Sequence, residues 1–486
     1  MRRISLFLVA ALLLAACSPK ARNAQDAADC PDIYPDYVGV TVPATIAPLD
    51  FTLRGAQALD VQVTAADGTT LRSRGRRATR FPEKAWRKLL QRSVGDSLVV
   101  SVSALSDGQW TRYAPFGIRV SPDPIDYGLT YRLLEPGYEI YSKMGIYERT
   151  LASFRQRALF ENTQFDGCVN CHAYNHTDPT ALSLHIRGAH GATLLLKDGA
   201  ITAYETRTDS TLGFCVYPYW HPSGKYIAYS TNNTRQGFHV QPDKLIEVFD
   251  LASDLQVYDV ENNELITAPQ LKQPDVWESF PAFSPDGKTL YYTAAARVAI
   301  PGELMQSHYN LMKVSFDPLT GTLGDDITLL VDAASAGKSV CFPKPSFDGR
   351  YLMYTLCDYG TFSIWHHEAD LWLLDLQTGE TRPLTEVNSA DTDSYHNWSA
   401  NSRWFVFSSR RDDGLYTRLY IAHFDEAGVA GKPFMLPQRD PADYYSDLFF
   451  SYNVPEFVGG PVPFNKRRAQ KVVNAPERVP FGYRAR

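Results

Sequence analysis

SFPAFSPDGKTLYYTAA (279–295) decides the fold. An aromatic strand runs into Asp286-Gly287, and a second strand of alternating aromatic and aliphatic residues returns from it. Asp-Gly between two such runs is a strong hairpin signal. The design recurs in VYPYWHPSGKYIAYSTN (216–232), CFPKPSFDGRYLMYTLC (341–357) and YHNWSANSRWFVFSSRR (395–411). Gly224, Gly287, Gly349 and Ser402 hold the same place in the turn, 63, 62 and 53 residues apart. A hairpin unit recurring at a near-regular period means a repeat architecture. LQVYDVENNELITA (255–268) and LWLLDLQTGETRPL (371–384) add a second strand pair, so each unit is a four-stranded antiparallel sheet. Four strands per unit, repeated radially, make a propeller blade.

These units resemble the TolB-like propeller repeat, whose core reads P-x-W-S-P-D-G-K-x-I-x-Y. The resemblance covers residues 178–455 and is closest in the first two copies. Copy three lacks the proline in the turn, and copy four has lost the glycine. It implies a C-terminal TolB-like β-propeller over 178–460, followed by a tail at 461–486. LHIRG (184–188), GATLLLKDG (191–199) and AITAYET (200–206) precede the first repeat, and DLFFSYNVPEF (447–457) follows the last. A composite blade from both ends latches the ring, giving five blades. Six, common among TolB-like rings, is the alternative.

Upstream, residues 31–128 read as short strands with turns between them: YVGVTV (37–42), LDFTLRG (49–55), ALDVQVTAADGTTLR (58–72), DSLVVSVSAL (96–105) and FGIRVS (116–121). They predict a β-sandwich, immunoglobulin-like, interrupted by a short helix at 82–93. Between sandwich and propeller, residues 129–177 read as a helical segment. Tyr147, Leu151, Phe154 and Ala158 follow the i, i+4, i+7, i+11 spacing of one helix face. The fold class is therefore mainly β. Aromatics at 13%, with 28 Tyr and 25 Phe, agree with it. Net charge is -6 with no long basic tract, which argues against a nucleic-acid partner.

The N-terminus, MRRISLFLVAALLLAACSPK, carries Arg2 and Arg3 before an apolar run too short to span a membrane. It reads as a signal peptide over 1–16. Leu14-Ala15-Ala16-Cys17 resembles the lipobox of bacterial lipoproteins. That resemblance implies lipidation of Cys17, a tether over 17–30 and a membrane partner through the anchor. With Ser18 next and no acidic run close behind, the expected location is the outer membrane, facing the periplasm.

GCVNCHA (167–173) holds the one C-x-x-C-H pentad, the pattern of covalent c-type haem attachment. A second C-x-x-C, which a structural zinc site usually brings, is absent. A thioredoxin-like dithiol needs a βαβ context that this segment lacks. One covalent haem c is the expected cofactor. Cys168 and Cys171 would form the thioethers, and His172 would be the proximal iron ligand. After His172 the next methionine is Met305, so the distal side departs from a conventional cytochrome c. His185, in the apolar LSLHIR, is the candidate distal ligand, with His190 and Met144 as alternatives.

Long loops between second and third strands put His239, His308, His366, His367, Arg410 and Arg411 on one candidate binding rim. Cys341 and Cys357 bracket the third hairpin. A three-residue turn would set them opposite each other for a disulfide, and a two-residue turn would not. No G-x-S-x-G elbow and no phosphate-binding glycine loop occurs, so no catalytic residue is assigned. The whole pattern, with APLDF, CVNCH, YPYWHPS and SYNVPEF, resembles an uncharacterised Bacteroidetes family of propeller lipoproteins. Electron transfer or redox sensing through the haem, with an envelope redox or protein partner, is the first functional expectation. The alternatives are an envelope propeller scaffold that binds a protein, peptide or glycan, and a haem enzyme.

Overall fold

A computed structural model describes residues 20–135, 143–165, 167–209, 211–239 and 244–484. The signal peptide and Cys17 lie outside the described residues. Contacts divide the chain into two units. The larger comprises Ile125–Leu151, Arg155–Pro433 and Phe449–Arg486.

That larger unit is a six-bladed propeller. Blade 1 is built from Gly167–Asn175, Asp178–Gly188, Ala192–Lys197 and Ala200–Glu205. Blade 2 starts with Cys215–Trp220, blade 3 with Val276–Phe283, blade 4 with Ser339–Pro345 and blade 5 with Asp393–Trp398. In each, that first strand is the inner one, and later strands follow outward by antiparallel pairing. Blade 6 closes the ring. Its inner strand, Ser451–Val458, comes from late in the chain, and its other three, Gly128–Leu134, Met144–Thr150 and Gln156–Glu161, come from early in it.

The composite closure is as expected, but the count of five is corrected to six. Residues 178–206 belong to a complete blade of their own, and the strands that join the chain's end lie further upstream. The helical segment at 129–177 is also corrected: its described residues form strands of blades 6 and 1, with one short 3₁₀ turn at Asn162–Gln164. The helical spacing was produced by a hairpin. Tyr147 and Ala158 pair across its two strands, while Leu151 and Phe154 lie in the connection between them.

Alternation explains the blades. The Ser-Pro-Asp-Gly-Lys turn puts Gly287 at φ +71°, and Gly224 and Gly349 do the same at +69° and +73°. Ser402 adopts that left-handed conformation at φ +59° in blade 5, which is why the repeat survives loss of its glycine there. Apolar faces of neighbouring blades then pack together: Tyr226, Leu255 and Val257 of blade 2 bury against Phe283, Leu290 and Tyr292 of blade 3. The stretch after 460 is no loose tail. Val462, Phe464, Ala469 and Val473 join the core of blade 1, and Val479–Pro480 and Gly482–Arg484 add parallel edge strands to blades 1 and 2. Helix Lys466–Val473 is capped by Asn465, whose side chain accepts from the Arg468 N–H.

The smaller unit comprises residues up to Pro124, with Ala152–Phe154 and Phe434–Leu448. The expected immunoglobulin-like sandwich is corrected to a seven-stranded sheet plus a two-residue ribbon, Ile33–Tyr34 with Thr52–Leu53. Ser97–Ser106 is the sheet's axis, pairing with Ala58–Thr64 on one side and with Gln109–Arg112 and Phe116–Ser121 on the other. Leu98, Val100, Val102 and Ala104 are buried on one face of that axis. The helix expected at 82–93 forms over Glu83–Arg92, burying Trp86, Leu89 and Leu90 at helical spacing.

Candidate functional site

A cavity of about 520 Å³ lies among the inner strands of the propeller. It is made by one local device, repeated. Each inner strand carries a β-bulge, at Val169/His172, Val216/Tyr219, Ser279/Ala282, Cys341/Lys344 and Ser394/Asn397, and in the last strand between Asn453 and Glu456. The bulge residue has positive φ at Tyr217, Phe280, Phe342, Tyr395 and Val454. Proline follows it in four blades, as Pro218, Pro281, Pro343 and Pro455, where the interrupted ladder needs no N–H. The result is a collar of aromatic rings: Tyr217–Phe280 at 4.7 Å, Phe280–Phe342 at 4.3 Å and Phe342–Tyr395 at 4.9 Å between centroids.

The collar is incomplete. Blades 6 and 1 place Val454 and Asn170-Cys171 where blades 2 to 5 place a ring, and the cavity is lined by that gap together with the rings of the collar. CVNCHAYN is thus a divergent copy of the repeat, with Asn170 and Cys171 in the frame of Tyr217-Pro218. His176, at φ +55°, makes the left-handed step in the shorter turn between Asn175 and Asp178. A second boundary comes from blade 2, whose middle hairpin runs to 13 and 14 residues, Tyr226–Phe238 and Ile246–Asp259. Thr234, Gln236, Phe238, Ile246 and Val248 on this arm line the cavity. Trp365 completes the wall, with the Arg410 guanidinium 3.3 Å from its ring centre.

Cys168, Cys171 and His172 all reach the cavity wall. Cys168 is half-buried, and burial pushes its thiol up, against the opposing pull of Arg132 and Arg187. His172 is buried at 3% exposure; its Nε2 lies 3.2 Å from Thr130 Oγ1 in blade 6, and its Nδ1 has no partner among the described residues. Burial, reinforced by Arg132 and Lys344, holds its pKa at about 3. Of the residues that would hold a covalent haem, both thiols stand on the cavity wall, whereas the His172 nitrogen that would bind iron is turned onto Thr130. Of the distal candidates, Met144 lines the cavity. His185 sits one strand outward, with Nδ1 3.2 Å from Thr193 Oγ1 and its ring 5.3 Å from Phe214, and is not among the lining residues. His190 lies in the turn after that strand, and likewise does not line the cavity.

The six rim residues do not form one site. Arg410 joins the cavity. His239 and His366 converge on Glu247 Oε2, at 3.5 and 3.2 Å, and His366 Nδ1 also meets Glu368 Oε1 at 3.1 Å. Burial opposes a charge on His366, but Cys357, Glu247 and Glu368 outweigh it and hold its pKa well above the ordinary value. His367 pairs with Asp391 at 3.1 Å and Arg411 with Asp393 at 2.6 Å. His308 stands apart with a buried Nδ1 lacking a partner among the described residues. Cys341 and Cys357 are present as free thiols, their sulfurs 3.9 Å apart. Cys341 faces Thr355 and Cys357 faces Ser339, a diagonal pair across the ladder. Among the described residues no group of three or more His, Cys, Asp or Glu is disposed to hold a metal ion.

No protein-family model and no curated protein matches the chain. Solved structures similar to it include prolyl oligopeptidase B from Galerina marginata, at 11% identity and a TM-score of 0.36, covering 69% of this chain and 42% of that one. A DUF4784 family protein from Bacteroides caccae is similar at 8% identity and a TM-score of 0.30, over 72% of this chain and 94% of that one. The Cps50 (Swd1) β-propeller domain of Myceliophteria thermophila is similar at 12% identity and a TM-score of 0.35, over 75% and 96%. The chain thus spans under half the length of the first of these. The likeness concerns the propeller fold alone.

Proposed function

We propose that this protein is a ligand-binding propeller, held at the cell envelope by lipid on Cys17, whose central cavity receives a small organic molecule. The observation that carries this reading is the gap in the aromatic collar at Val454 and Asn170-Cys171. Concave, largely apolar sites with a few polar groups are where proteins take small ligands. The neutral fluorophore phenylnaphthylamine is expected to bind saturably at one site. Val454→Phe with Asn170→Phe, which completes the collar, is expected to weaken that binding at least 100-fold. Binding that is unsaturable, or indifferent to the filled gap, would overturn the reading. Cys17→Ala should release the protein from the membrane fraction; continued membrane association would remove the anchor.

A second reading, haem c serving electron transfer or redox sensing, is favoured by one observation: both thiols of the pentad stand on the cavity wall. It requires His172 to leave Thr130. In a host with cytochrome c maturation the protein would then carry haem that survives denaturation and is lost in Cys168→Ala with Cys171→Ala. Colourless protein with free thiols from such a host excludes it.

A further inference from the structure

The cavity carries more positive charge than its own carboxylates balance. Four cations line it, Arg132, Arg187, Lys344 and Arg410, against two carboxylates, Glu135 and Glu456. Glu456 is fully committed: it is buried, and Lys344 Nζ lies 3.4 Å from its Oε1. Arg410 is used up by backbone and ring. Its Nε donates to the Ile364 carbonyl at 2.6 Å, its Nη1 donates to the Leu415 carbonyl, and its face covers Trp365. The histidines add no charge, because burial holds both His172 and His396 near pKa 3.

Arg132 and Arg187 are different. Among the described residues neither forms an ion pair. Arg132 donates one Nη1 hydrogen bond to Asn170 Oδ1 at 2.5 Å, and its Nε is buried without a partner. The Arg187 side chain has no hydrogen-bond partner among the described residues; the carboxylate it acts on, Asp250, is pushed up to about 7 by burial and accepts from Asn232. They approach the cavity from adjoining blades: Arg132 from Gly128–Leu134 in blade 6, Arg187 from Asp178–Gly188 in blade 1. Arg187 stands opposite Cys168 in the ladder, and Arg132 bonds Asn170 two residues along the same strand, so the two arginines meet the same stretch of the wall. Leaving partly buried cations unpaired is costly, and a guanidinium offers a planar fork that matches carboxylate, phosphate or sulfonate oxygens. The same cavity is lined by flat surfaces: Tyr217, Phe342, Tyr395 and Trp365.

We infer that the cavity is specific for a planar, ring-bearing organic anion, its acidic group held between Arg132 and Arg187 and its ring laid against the aromatic collar. The inference rests on the binding reading above and deepens it. Two fluorophores of the same ring framework test it on the full chain: anilinonaphthalene sulfonate, which is anionic, and phenylnaphthylamine, which is neutral. The anion is expected to bind one site at least tenfold more tightly. Arg187→Gln and Arg132→Gln should each weaken the anion at least tenfold and leave the neutral probe within twofold, which also reports that the cavity is intact. Dodecanoate, an anion without a ring, should displace the sulfonate at least tenfold less effectively than naphthoate does. Equal affinity for the two fluorophores, or arginine variants that bind the anion unchanged, would overturn the anion inference while leaving the binding module standing. Dodecanoate as effective as naphthoate would overturn the ring. Failure of both fluorophores to bind would remove the binding reading itself. The comparison of probes on the unaltered protein decides the matter even where an arginine variant fails to fold.

Discussion

Blades 2 to 5 and blades 6 and 1 use the same bulged inner strand to opposite ends. In the first group the bulge delivers a large ring and fills the middle of the propeller. In the second it delivers Val454, Asn170 and Cys171, and opens a space lined with arginine and thiol. One backbone device therefore supplies the aromatic part of the cavity wall on one side and its polar gap on the other. Blade 6 differs from blades 2 to 5 in its side chain alone, and blade 1 also in its backbone, since Asn170 lacks the positive φ of the other bulges. Val454 makes the point sharply: a β-branched residue at φ +47° is strained, and such residues persist where their surroundings over-determine them.

The largest effect that would break this contrast is on stability. Phe342 touches Phe280 and Tyr395, so Phe342→Ala should cost about 3–5 kcal/mol by cavity formation. Val454→Gly should cost less than about 1 kcal/mol, because relief of the strained backbone offsets the lost contacts. Denaturant titration of both variants checks it; equal losses would mean the two sides are packed alike. Acid gives the next effect. His172 and His396 face each other across the comparison, both held near pKa 3 by burial. Depressed histidines leave stability intact above their unfolded pKa of about 6.5 and lose it as pH falls towards 3. Each should contribute at most about 1.4 kcal/mol per pH unit over that window. His396→Pro, which restores the dipeptide of blades 2 to 4, should remove one such contribution to the pH slope; an unchanged slope between pH 7 and 5 would assign the proton uptake elsewhere. The smallest effect is chemical. Cys168 and Cys171, half-buried on the cavity wall, should react with a maleimide in the native protein, whereas Cys215, Cys341 and Cys357, fully buried, should react only after unfolding. Native labelling of Cys341 would show that the collar opens.

The hairpins of blades 2 to 5 were legible because their turns obey strict local chemistry and their strands alternate. Blade 6 was hidden for the opposite reason. Its strands are buried on both faces, as the pattern of Met144–Thr150 shows, so alternation vanishes and helical spacing appears by accident. CVNCHAYN was hidden by its own cysteines, which suggested a cofactor before a repeat. The signal that places it was present in VYPYW, SFPAF and CFPKP: an aromatic-proline dipeptide a fixed distance before each turn. Val454-Pro455 keeps the proline of that mark and not its ring. Arg132 and Arg187 carried no such mark. Nothing local distinguishes an arginine facing a cavity from one facing water, and blades far apart in sequence set the difference.

Closure of the ring has a consequence for how the protein comes into being. Gly128 pairs with Val458, and Leu134 with Ser451, so the early strands wait for a late one. Until Ser451–Val458 arrives, Gly128–Leu134 presents an open edge able to pair with a foreign strand. The same late strand supplies Val454 and Asn453 to the cavity wall. A truncated chain can therefore assemble blades 1 to 5 and still have no recognition site. Binding competence in this molecule is a property acquired only when Ser451–Val458 joins the ring, and ligand retention would separate finished protein from translation products that stop short of that strand.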